Sequence, residues 1–401
     1  MKTAGSLTPK SKTWFLLLTA FALILLGTSP VSAARFNITD YDATADDEVD
    51  DTAAILRTLQ ACAAVGGGEV FVPAGTFIIS RQGAESPILE VPSNTTLRGE
   101  GAASILKFDP KVNQSNFWRM LGASSQDCRN VTIRDLHLDG SNTFTSYEPG
   151  KTPEQNHGIF FYRREGVIEN VTVRDCLIEN FSGDCIGLGP GCRNMTIRNV
   201  TVRNFVRQGI QMAGGNGARD YLVTGCQDLE GDVRAGGSTI HVEHARGLKN
   251  VIITDNRCRK SILAGGVDGI IIRDNMISGR LVGNGNFNAI VQGNLVRGGE
   301  RAGYVVQLGF ADGLLLKDNI ISTSHAESGG LYVWGASRYN PSPSQNVTVT
   351  GNVIRVPGRG VFLNGVHDAL IRNNLIKNED AKQKIVVQRA ERIDREPQTD
   401  E

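Results

Sequence analysis

Several marks of other protein classes are missing from this sequence. Only 6% of its 401 residues are aromatic, and 42 basic side chains balance 42 acidic ones. A chain without a basic excess gives no electrostatic sign of nucleic-acid binding. After residue 34 no apolar run is long enough to cross a membrane. Nucleic acid and a later membrane span are therefore excluded from the expected partners and elements.

The sequence has seven cysteines but no cysteine spacing typical of a zinc site. An odd number leaves at least one thiol unpaired in an oxidising compartment. Cys185 and Cys192 flank the bend GLGPG and could form a disulfide. The favoured prediction is that most of the cysteines fill the interior as small apolar residues.

Residues 1–34 are set apart from the rest of the chain. Basic side chains come first, then an apolar run from Trp14 to Leu26, then small residues ending at Ala33 or Ala34. This pattern predicts a signal peptide, and so a protein that is secreted, periplasmic or at the cell surface, without a membrane attachment after cleavage. The alternative is an uncleaved anchor, although the run is shorter than the roughly 20 residues of a membrane span.

What the sequence does have is a repeated phrase: a polar or glycine residue, about four β-branched or aliphatic residues, then a short polar and aliphatic tail. Its copies begin at Asn130, Asn170, Asn194, Asp220, Asn250, Gly269, Asn288, Gly313, Asn346 and Asp368. No copy carries an apolar helical stripe of ten or more residues, so each is expected to form strands. Repetition near one period predicts a solenoid.

A second short apolar run follows most copies, for example HGIFFY from His157, RQGIQM from Arg207 and GGLYVWG from Gly329. Two or three short strands per turn describe an all-β, right-handed parallel β-helix of ten or more coils, which stack at about 4.8 Å. One architecture without a linker predicts a single domain over residues 35–390. The charged residues 391–401 are predicted to be a disordered tail.

Residues 35–80 are expected to cover the first coil. Ala53 to Ala64 has helical spacing, Asp50 and Asp51 suit its N-cap, and Gly66 to Gly68 ends it. A helix here would bury the open end of the solenoid.

Two stretches of this segment, FNITDYDATADDEVDDTAAI and GGGEVFVPAGTFII, resemble the opening segment of the pectate lyase superfamily, the pectin-lyase-like β-helix proteins. The resemblance implies the parallel β-helix fold and a polysaccharide partner. It does not imply one reaction, because members of the superfamily cut or remodel different polysaccharides with different residues.

Motifs of individual subfamilies are absent. Where polygalacturonase-like hydrolases carry paired aspartates, this sequence offers Gly183-Asp184-Cys185, and it has neither their Gly-His-Gly nor their Arg-Ile-Lys. It also lacks the calcium-binding aspartates and arginine base of pectate lyases and the Asp-Pro-His block of alginate epimerases. No metal site and no cofactor are therefore predicted, with calcium left as an alternative that no motif supports.

Register gathers polar residues on one face. Aligning the second runs on their first aliphatic residue places five polar residues two positions upstream, in one row on consecutive coils: His157, Asp184, Gln208, Ser238 and Lys260. Phe160, Gln211 and His241 lie one position past the aligned residue, and Tyr162 and Glu243 lie two further along. Strict alternation would turn the upstream row inward, so its exposure requires a bend.

This face predicts an active site with His157, Asp184, Arg207, His241 and Glu243 as catalytic residues. Asp184 could orient or charge the imidazole of His157 one coil away. Asp184 and Glu243 are two coils, roughly 9.6 Å, apart, which suits an inverting glycosidase. A lyase or epimerase would instead use Arg207 as the cation with His157 or Tyr162. The structural alternative for each residue is a bend hydrogen bond to the next coil.

The predicted substrate-binding residues are Tyr162, Gln208, Gln211, Tyr147, Trp334 and Tyr339. The last three lie in or beside two long insertions, 141–156 and 335–345. Raised loops can form the walls of a groove and aromatic faces can stack on sugars; ordinary loop variation is the alternative. Aspartates that recur with the repeat, such as Asp135 and Asp274, are predicted bend formers.

The sequence thus predicts a secreted enzyme that acts on a polysaccharide, one containing uronic acids, by glycosidic cleavage or epimerisation. The alternatives are a carbohydrate-binding or adhesive β-helix without catalysis and a structural surface protein. The polysaccharide, the reaction, a calcium requirement, disulfide pairing and the oligomeric state, whether monomer or trimer, stay open.

Overall fold

Short runs of β-branched residues wind into three parallel sheets around one core. The computed structural model describes residues 34–83, 86–109, 117–141, 155–229, 237–299, 302–335, 342–378 and 383–395. The predicted signal peptide, Tyr147 and Tyr339 lie outside these ranges. The architecture is the predicted right-handed parallel β-helix. No helix among the described residues is both long enough and apolar enough to span a membrane.

Sheet A contains the first strand of each coil, the NVTIR part of the repeated phrase. Over the described residues its 14 strands are Arg35–Asn37, Gly68–Phe71, Thr95–Arg98, Cys128–Arg134, Ile168–Arg174, Cys192–Arg198, Arg219–Thr224, Lys249–Thr254, Asp268–Arg273, Phe287–Gln292, Asp312–Lys317, Ser344–Thr350, Val366–Arg372 and Glu391–Arg395.

Sheet B contains the tail of the phrase. Its 12 strands in the described part of the chain are Gly75–Ile79, Ser104–Phe108, His137–Asp139, Leu177–Glu179, Thr201–Arg203, Gln227–Asp228, Arg257–Cys258, Met276–Ile277, Leu295–Arg297, Ile320–Ser322, Val353–Arg355 and Leu375–Lys377.

Sheet C contains the second apolar runs. Where the chain is described, its 12 strands are Leu89–Glu90, Phe117–Ala123, Gln155–Phe161, Ile186–Leu188, Gln208–Met212, Ser238–Val242, Ile262–Gly265, Leu281–Asn284, Tyr304–Gly309, Gly329–Trp334, Val361–Asn364 and Ile385–Gln388.

Parallel pairing places like positions of successive coils side by side. In sheet A, Val131 pairs with Val171 and Val171 with Met195, and all three side chains are buried. Alternate residues of each strand point inward, so the aliphatic positions of the repeat form continuous columns in the core. This arrangement turns sequence period into spatial proximity.

Among the described residues, one α-helix, α1 (Thr52–Ala64), precedes the first complete coil, and two short 3-10 helices occupy Ile38–Tyr41 and Gly101–Ala103. The apolar face of α1, formed by Ile55, Leu59 and Cys62, is buried and contacts the first strands of sheets A and C. The helix therefore covers the open end of the solenoid, as its sequence predicts. The side chain of Asp50, rather than that of Asp51, accepts a hydrogen bond from the Thr52 N–H.

The C-terminal end of the fold differs from the expectation. Glu391–Arg395, the first part of the predicted disordered tail, forms the last strand of sheet A and pairs in parallel with Val366–Arg372. Backbone pairing needs no apolar side chains at the outer face, and four of these five residues are exposed. Residues 396–401 lie outside the described residues.

All seven cysteines are buried and free. Their prediction as interior filler is confirmed, and the alternative disulfide between Cys185 and Cys192 is absent. The Sγ of Cys185 faces the carbonyl oxygen of Ile178, whereas the Sγ of Cys192 faces that of Phe161. The two thiols therefore serve separate positions of the core.

Candidate active site

Pairing in sheet C confirms the predicted alignment of the second runs. Ile159, Ile186, Ile210, Ile240 and Ile262 occupy one register on five consecutive coils. The polar row two positions upstream therefore lies at one level of neighbouring coils. Whether its members meet depends on the direction of each side chain.

A bend lies between this row and the aligned aliphatic residues, but it does not expose the row, because His157, Asp184, Gln208 and Ser238 are all buried. The position between the row and the aligned aliphatic residue points into the core: a Cβ on Gly158 would lie 3.0 Å from side-chain atoms of Ile178 and Phe181. Cys185 occupies the same position one coil later and also faces Ile178. Two successive inward positions replace strict alternation, which is the condition that the sequence alone could not decide.

His157 and Asp184 form the buried centre of the site, with side-chain exposures of 1% and 0%. Nδ1 of His157 accepts a hydrogen bond of 2.9 Å from the backbone N–H of Asp184 and lies 3.2 Å from the Oδ2 atom of that residue. Burial lowers the pKa of His157, and the opposing effect of Asp184 does not overcome it. The imidazole is therefore neutral near pH 7, and the predicted charging of His157 by the carboxylate does not occur.

Arg207 joins Asp184 to Glu243. Its Nη1 atom is 3.5 Å from Oδ2 of Asp184, and its Nη2 atom is 2.9 Å from Oε2 of Glu243. The side chains of Arg207 and Glu243 are 21% and 25% exposed, so this ion pair lies at the surface above the buried aspartate. Oδ1 of Asp184 is buried and has no hydrogen-bond partner. An unpaired buried oxygen costs stability, and such atoms concentrate at functional sites.

His241 lies beside the ion pair on the outer face of sheet C. Its side chain is 21% exposed, and its Nδ1 atom is 3.9 Å from Oε2 of Glu243 and has no hydrogen-bond partner. Burial lowers the pKa of His241; Glu243 and Asp184 oppose that shift, whereas Arg207 adds to it. Nδ1 is itself buried, so a ligand that meets this neutral, partly exposed imidazole would exchange a proton with Nε2.

Arg119 belongs to the same cluster, although the sequence analysis does not include it. It lies on the preceding coil, where it pairs with His157. Its guanidinium carbon lies 4.0 Å from the ring centroid of Phe160 and 5.8 Å from that of Tyr162. Arg119 stands two positions before Leu121, as His157 stands two before Ile159. Extending the aligned row by one coil would have predicted it.

The other predicted residues take four different positions. Gln208 and Ser238 are buried, and the Gln208 side-chain oxygen accepts the Ser238 N–H at 2.8 Å, as bend residues do. Gln211 is 7% exposed and pairs with His241 on the outer face. Lys260 leaves the row, because its Nζ atom lies 4.3 Å from the centroid of the buried Phe205 ring. Trp334 lies on sheet C but not in the cluster.

The three parallel sheets and the acid–base cluster on one outer face define a class of protein. The chain is a pectin-lyase-like right-handed parallel β-helix protein. A family model described as rhamnogalacturonase A/epimerase, pectate lyase-like, matches residues 35–231. A second, described as periplasmic copper-binding protein (NosD), matches residues 193–386.

Similar proteins include polysaccharide-acting enzymes. Mannuronan C5-epimerase AlgE5 of Azotobacter vinelandii is 32% identical over 175 residues, 43% of this chain and 16% of that protein. A probable polygalacturonase of Arabidopsis thaliana is 27% identical over 236 residues, 48% of this chain and 50% of that protein. The chain therefore spans half or less of the length of these relatives.

Solved structures confirm the fold. The A-module of mannuronan C-5 epimerase AlgE4 of Azotobacter vinelandii has a TM-score of 0.59 at 18% identity, covering 89% of this chain and 97% of the module. Within the described ranges, no group of three or more His, Cys, Asp or Glu side chains could hold a metal ion.

Proposed function

We propose that this protein acts on a uronic-acid polysaccharide by removing the proton from the ring carbon that bears the carboxylate, as an epimerase or a lyase. The observation that carries the proposal is the partly exposed His241, whose pKa is lowered, beside the Arg207–Glu243 ion pair. The relationship to a mannuronan C5-epimerase supports the same chemistry.

Each part of the reaction has a candidate group. Removing that proton leaves a pair of electrons that delocalises onto the carboxylate, and a guanidinium stabilises this charge. Arg207 would give up part of its contact with Glu243 and bind the substrate carboxylate instead. His241 would accept the proton. Tyr162 lies on the same face, beside Arg119, and would act as the acid.

The two outcomes differ only after the proton is removed. In epimerisation, a proton from Tyr162 returns to the same carbon from the opposite face, which inverts that carbon. In elimination, the electron pair forms a double bond and expels the neighbouring sugar oxygen, which takes the proton. The buried pair His157 and Asp184 holds Arg207 in place in both cases.

Hydrolysis is less compatible with the same groups. An inverting glycosidase needs room for a water molecule and the scissile bond between its two carboxyl groups. Here the Arg207 guanidinium lies between Asp184 and Glu243 and contacts both. The predicted hydrolase arrangement would require Arg207 to leave.

Export belongs to the same proposal. The pattern of residues 1–34 is that of a signal peptide, and the family model over residues 193–386 is described as periplasmic. A polysaccharide outside the cytoplasm would be accessible to such a protein. Cell fractionation of the native host checks this location.

The reaction is tested by incubating the purified protein in D₂O with polymannuronate, polyguluronate and polygalacturonate. We expect deuterium at the carbon that bears the carboxylate, or unsaturated uronates that absorb in the ultraviolet. His241→Gln should lower the turnover by about 10²-fold or more, whereas His367→Gln on sheet A should leave it unchanged. New reducing ends without deuterium or ultraviolet absorbance would show a hydrolase, and binding without turnover would show the non-catalytic alternative.

A further inference from the structure

Trp334 lies flat on the outer face of sheet C, away from the acid–base cluster. It pairs with Gly309 of the preceding coil, and a Cβ on that glycine would lie 2.3 to 2.7 Å from three atoms of the indole. The ring therefore covers the glycine with one face, and its other face is turned away from the sheet. A flat aromatic face of this kind is what the apolar face of a sugar ring stacks on.

The residue after Gly309 holds the indole from its edge. The rings of Phe310 and Trp334 meet at 75° with centroids 4.6 Å apart. Phe310 has a φ of 48°, a left-handed conformation that is unfavourable for a bulky side chain. The same corner of sheet C is glycine on other coils, at Gly266, Gly285 and Gly365.

His244 is another non-glycine residue at this corner, with a φ of 51°. Its Nε2 atom contacts Glu243 at 3.3 Å, so a side chain is kept at a strained corner beside the candidate active site. Phe310 occupies the equivalent corner beside Trp334. Arg389, with a φ of 47°, is a third non-glycine residue at this corner. Strain retained at these coils, where glycine serves on their neighbours, indicates that these places need their side chains.

Further aromatic rings and basic groups surround Trp334. Tyr332 lies between Tyr304 and Phe362, with centroids 4.9 Å away on each side. The Arg359 guanidinium carbon lies 4.8 Å from the Phe362 ring centroid, and Arg389 contacts Asn364 on the next strand. None of the six strands of sheet C from Ile262–Gly265 to Ile385–Gln388 contains Asp or Glu. This surface therefore suits an anionic ligand.

We propose that Trp334, Tyr332 and Tyr304, with Arg359 and with the buried Phe362 ring packed behind them, form a distal platform that binds a carboxylated polysaccharide already held at the active site. The platform is continuous with that site through one column of sheet C: Glu243, Gly265, Asn284, Gly309 and Trp334 are successive neighbours. Four coil steps of about 4.8 Å separate its ends by about 19 Å.

The column between the two ends is low. Its neighbours on the same face are Leu263 and Val282, both half-buried, and Gly265 adds no side chain. A glycan running along the solenoid axis would cross this floor past the exposed side chain of Asn284 and meet the indole at the far end. A short oligosaccharide bound at His241 cannot reach it, so the platform selects for long chains. This inference takes its ligand class from the proposed function.

The test compares Trp334→Ala with Phe287→Ala, which removes an exposed aromatic ring from sheet A. Binding is measured by calorimetry, without reference to turnover, on long polymannuronate, on its trimer and on a neutral polysaccharide of similar length. We expect Trp334→Ala to weaken binding of the long polymer roughly tenfold and to leave binding of the trimer unchanged. Phe287→Ala should change neither, and the neutral polymer should bind weakly to all three proteins.

The outcomes separate the platform from the reaction. Equal affinity of wild type and Trp334→Ala for the long polymer overturns the platform and leaves the proposed reaction standing. An equal loss for polymer and trimer also overturns it, because the indole would then act at the active site or through folding. A chain-length effect in a protein without turnover supports the platform and overturns the reaction. Tighter binding of the neutral polymer overturns the anionic ligand.

Discussion

The pKa of His241 depends on its burial and on the charged side chains around it. Burial lowers its pKa, Glu243 and Asp184 oppose the shift, and Arg207 adds to it. A histidine that must accept a proton works only above its own pKa. The acidic limb of the activity profile therefore lies below the usual histidine value of about 6.5.

Replacing Glu243 and replacing Arg207 should move the acidic limb of the activity profile in opposite directions. In Glu243→Gln the carboxylate that stabilises imidazolium is lost, so the pKa of His241 falls and the limb moves to lower pH. In Arg207→Gln the opposing cation is lost, so the limb moves to higher pH. Profiles of kcat/KM against pH check both variants, whatever their residual rate. Limbs that move together would exclude His241 as the titrating base.

The sequence predicted the register positions of the site residues but not the directions of their side chains. The offset from the aligned aliphatic residue is the same for Asp184 and Lys260, yet Asp184 lies under Arg207 and Lys260 reaches Phe205 in the core. The difference follows from what surrounds each bend, which local sequence does not encode. Arg119 is the converse case. Its position two residues before Leu121 can be read from the sequence, but the aligned row of polar residues was not extended to its coil.

The bends between sheets A and B carry a ladder of asparagines, all buried except the half-buried Asn374. Its members are Asn256, Asn275, Asn294, Asn319, Asn352 and Asn374, each following a left-handed residue. Asn294 donates from Nδ2 to the Ile272 carbonyl oxygen and to Oδ1 of Asn319, while its own Oδ1 accepts the Asn275 N–H at 3.1 Å. The ladder thus satisfies backbone groups that the bend removes from both sheets.

Asn294→Ala should lower the free energy of unfolding by about 2 kcal/mol or more, because it leaves buried groups of three neighbours unsatisfied. The change is measured as a shift in the urea midpoint. Asn284→Ala, at an exposed position of sheet C, is the matched control and should stay within about 0.5 kcal/mol of wild type. Equal midpoints for the two variants would show that the ladder contributes no stability.

Four of the predicted bend formers of the repeat are confirmed as such, whereas Asp139, predicted with them, is the last residue of the sheet B strand His137–Asp139. Asp135, Asp175, Asp274 and Asp318 have φ values of 54° or 55°, the left-handed region that Asn and Asp tolerate. Glycine or asparagine takes the same position on other coils, as at Gly293 and Asn373. This could be predicted because the residue type at a bend is limited by the backbone alone.

The whole solenoid keeps its thiols out of solvent. Burial raises the pKa of Cys128 to about 11 and that of Cys176, Cys192 and Cys226 to about 12. The thiolate is the reactive form, so these side chains are inert in the folded molecule.

A thiol reagent should therefore modify none of the seven cysteines of the native protein and all seven after unfolding. The comparison is made by mass spectrometry before and after denaturant. Lys377→Cys, at an exposed position of sheet B, supplies a positive control that should react at once. Rapid modification of the native wild type at Cys185 or Cys192 would contradict the burial of these two thiols in the core.

The repeated phrase and the alternation within each strand predicted the coils, the register of Ile159 with Ile186, the cap helix and the bend aspartates. These features could be predicted because they depend on local backbone preference and apolar patterning. The neutral state of His157, the bridge made by Arg207, the inward course of Lys260 and the flat indole of Trp334 followed only from the folded molecule. Each depends on burial and charge contributed by coils some 20 to 40 residues away, and those become neighbours only when the solenoid stacks.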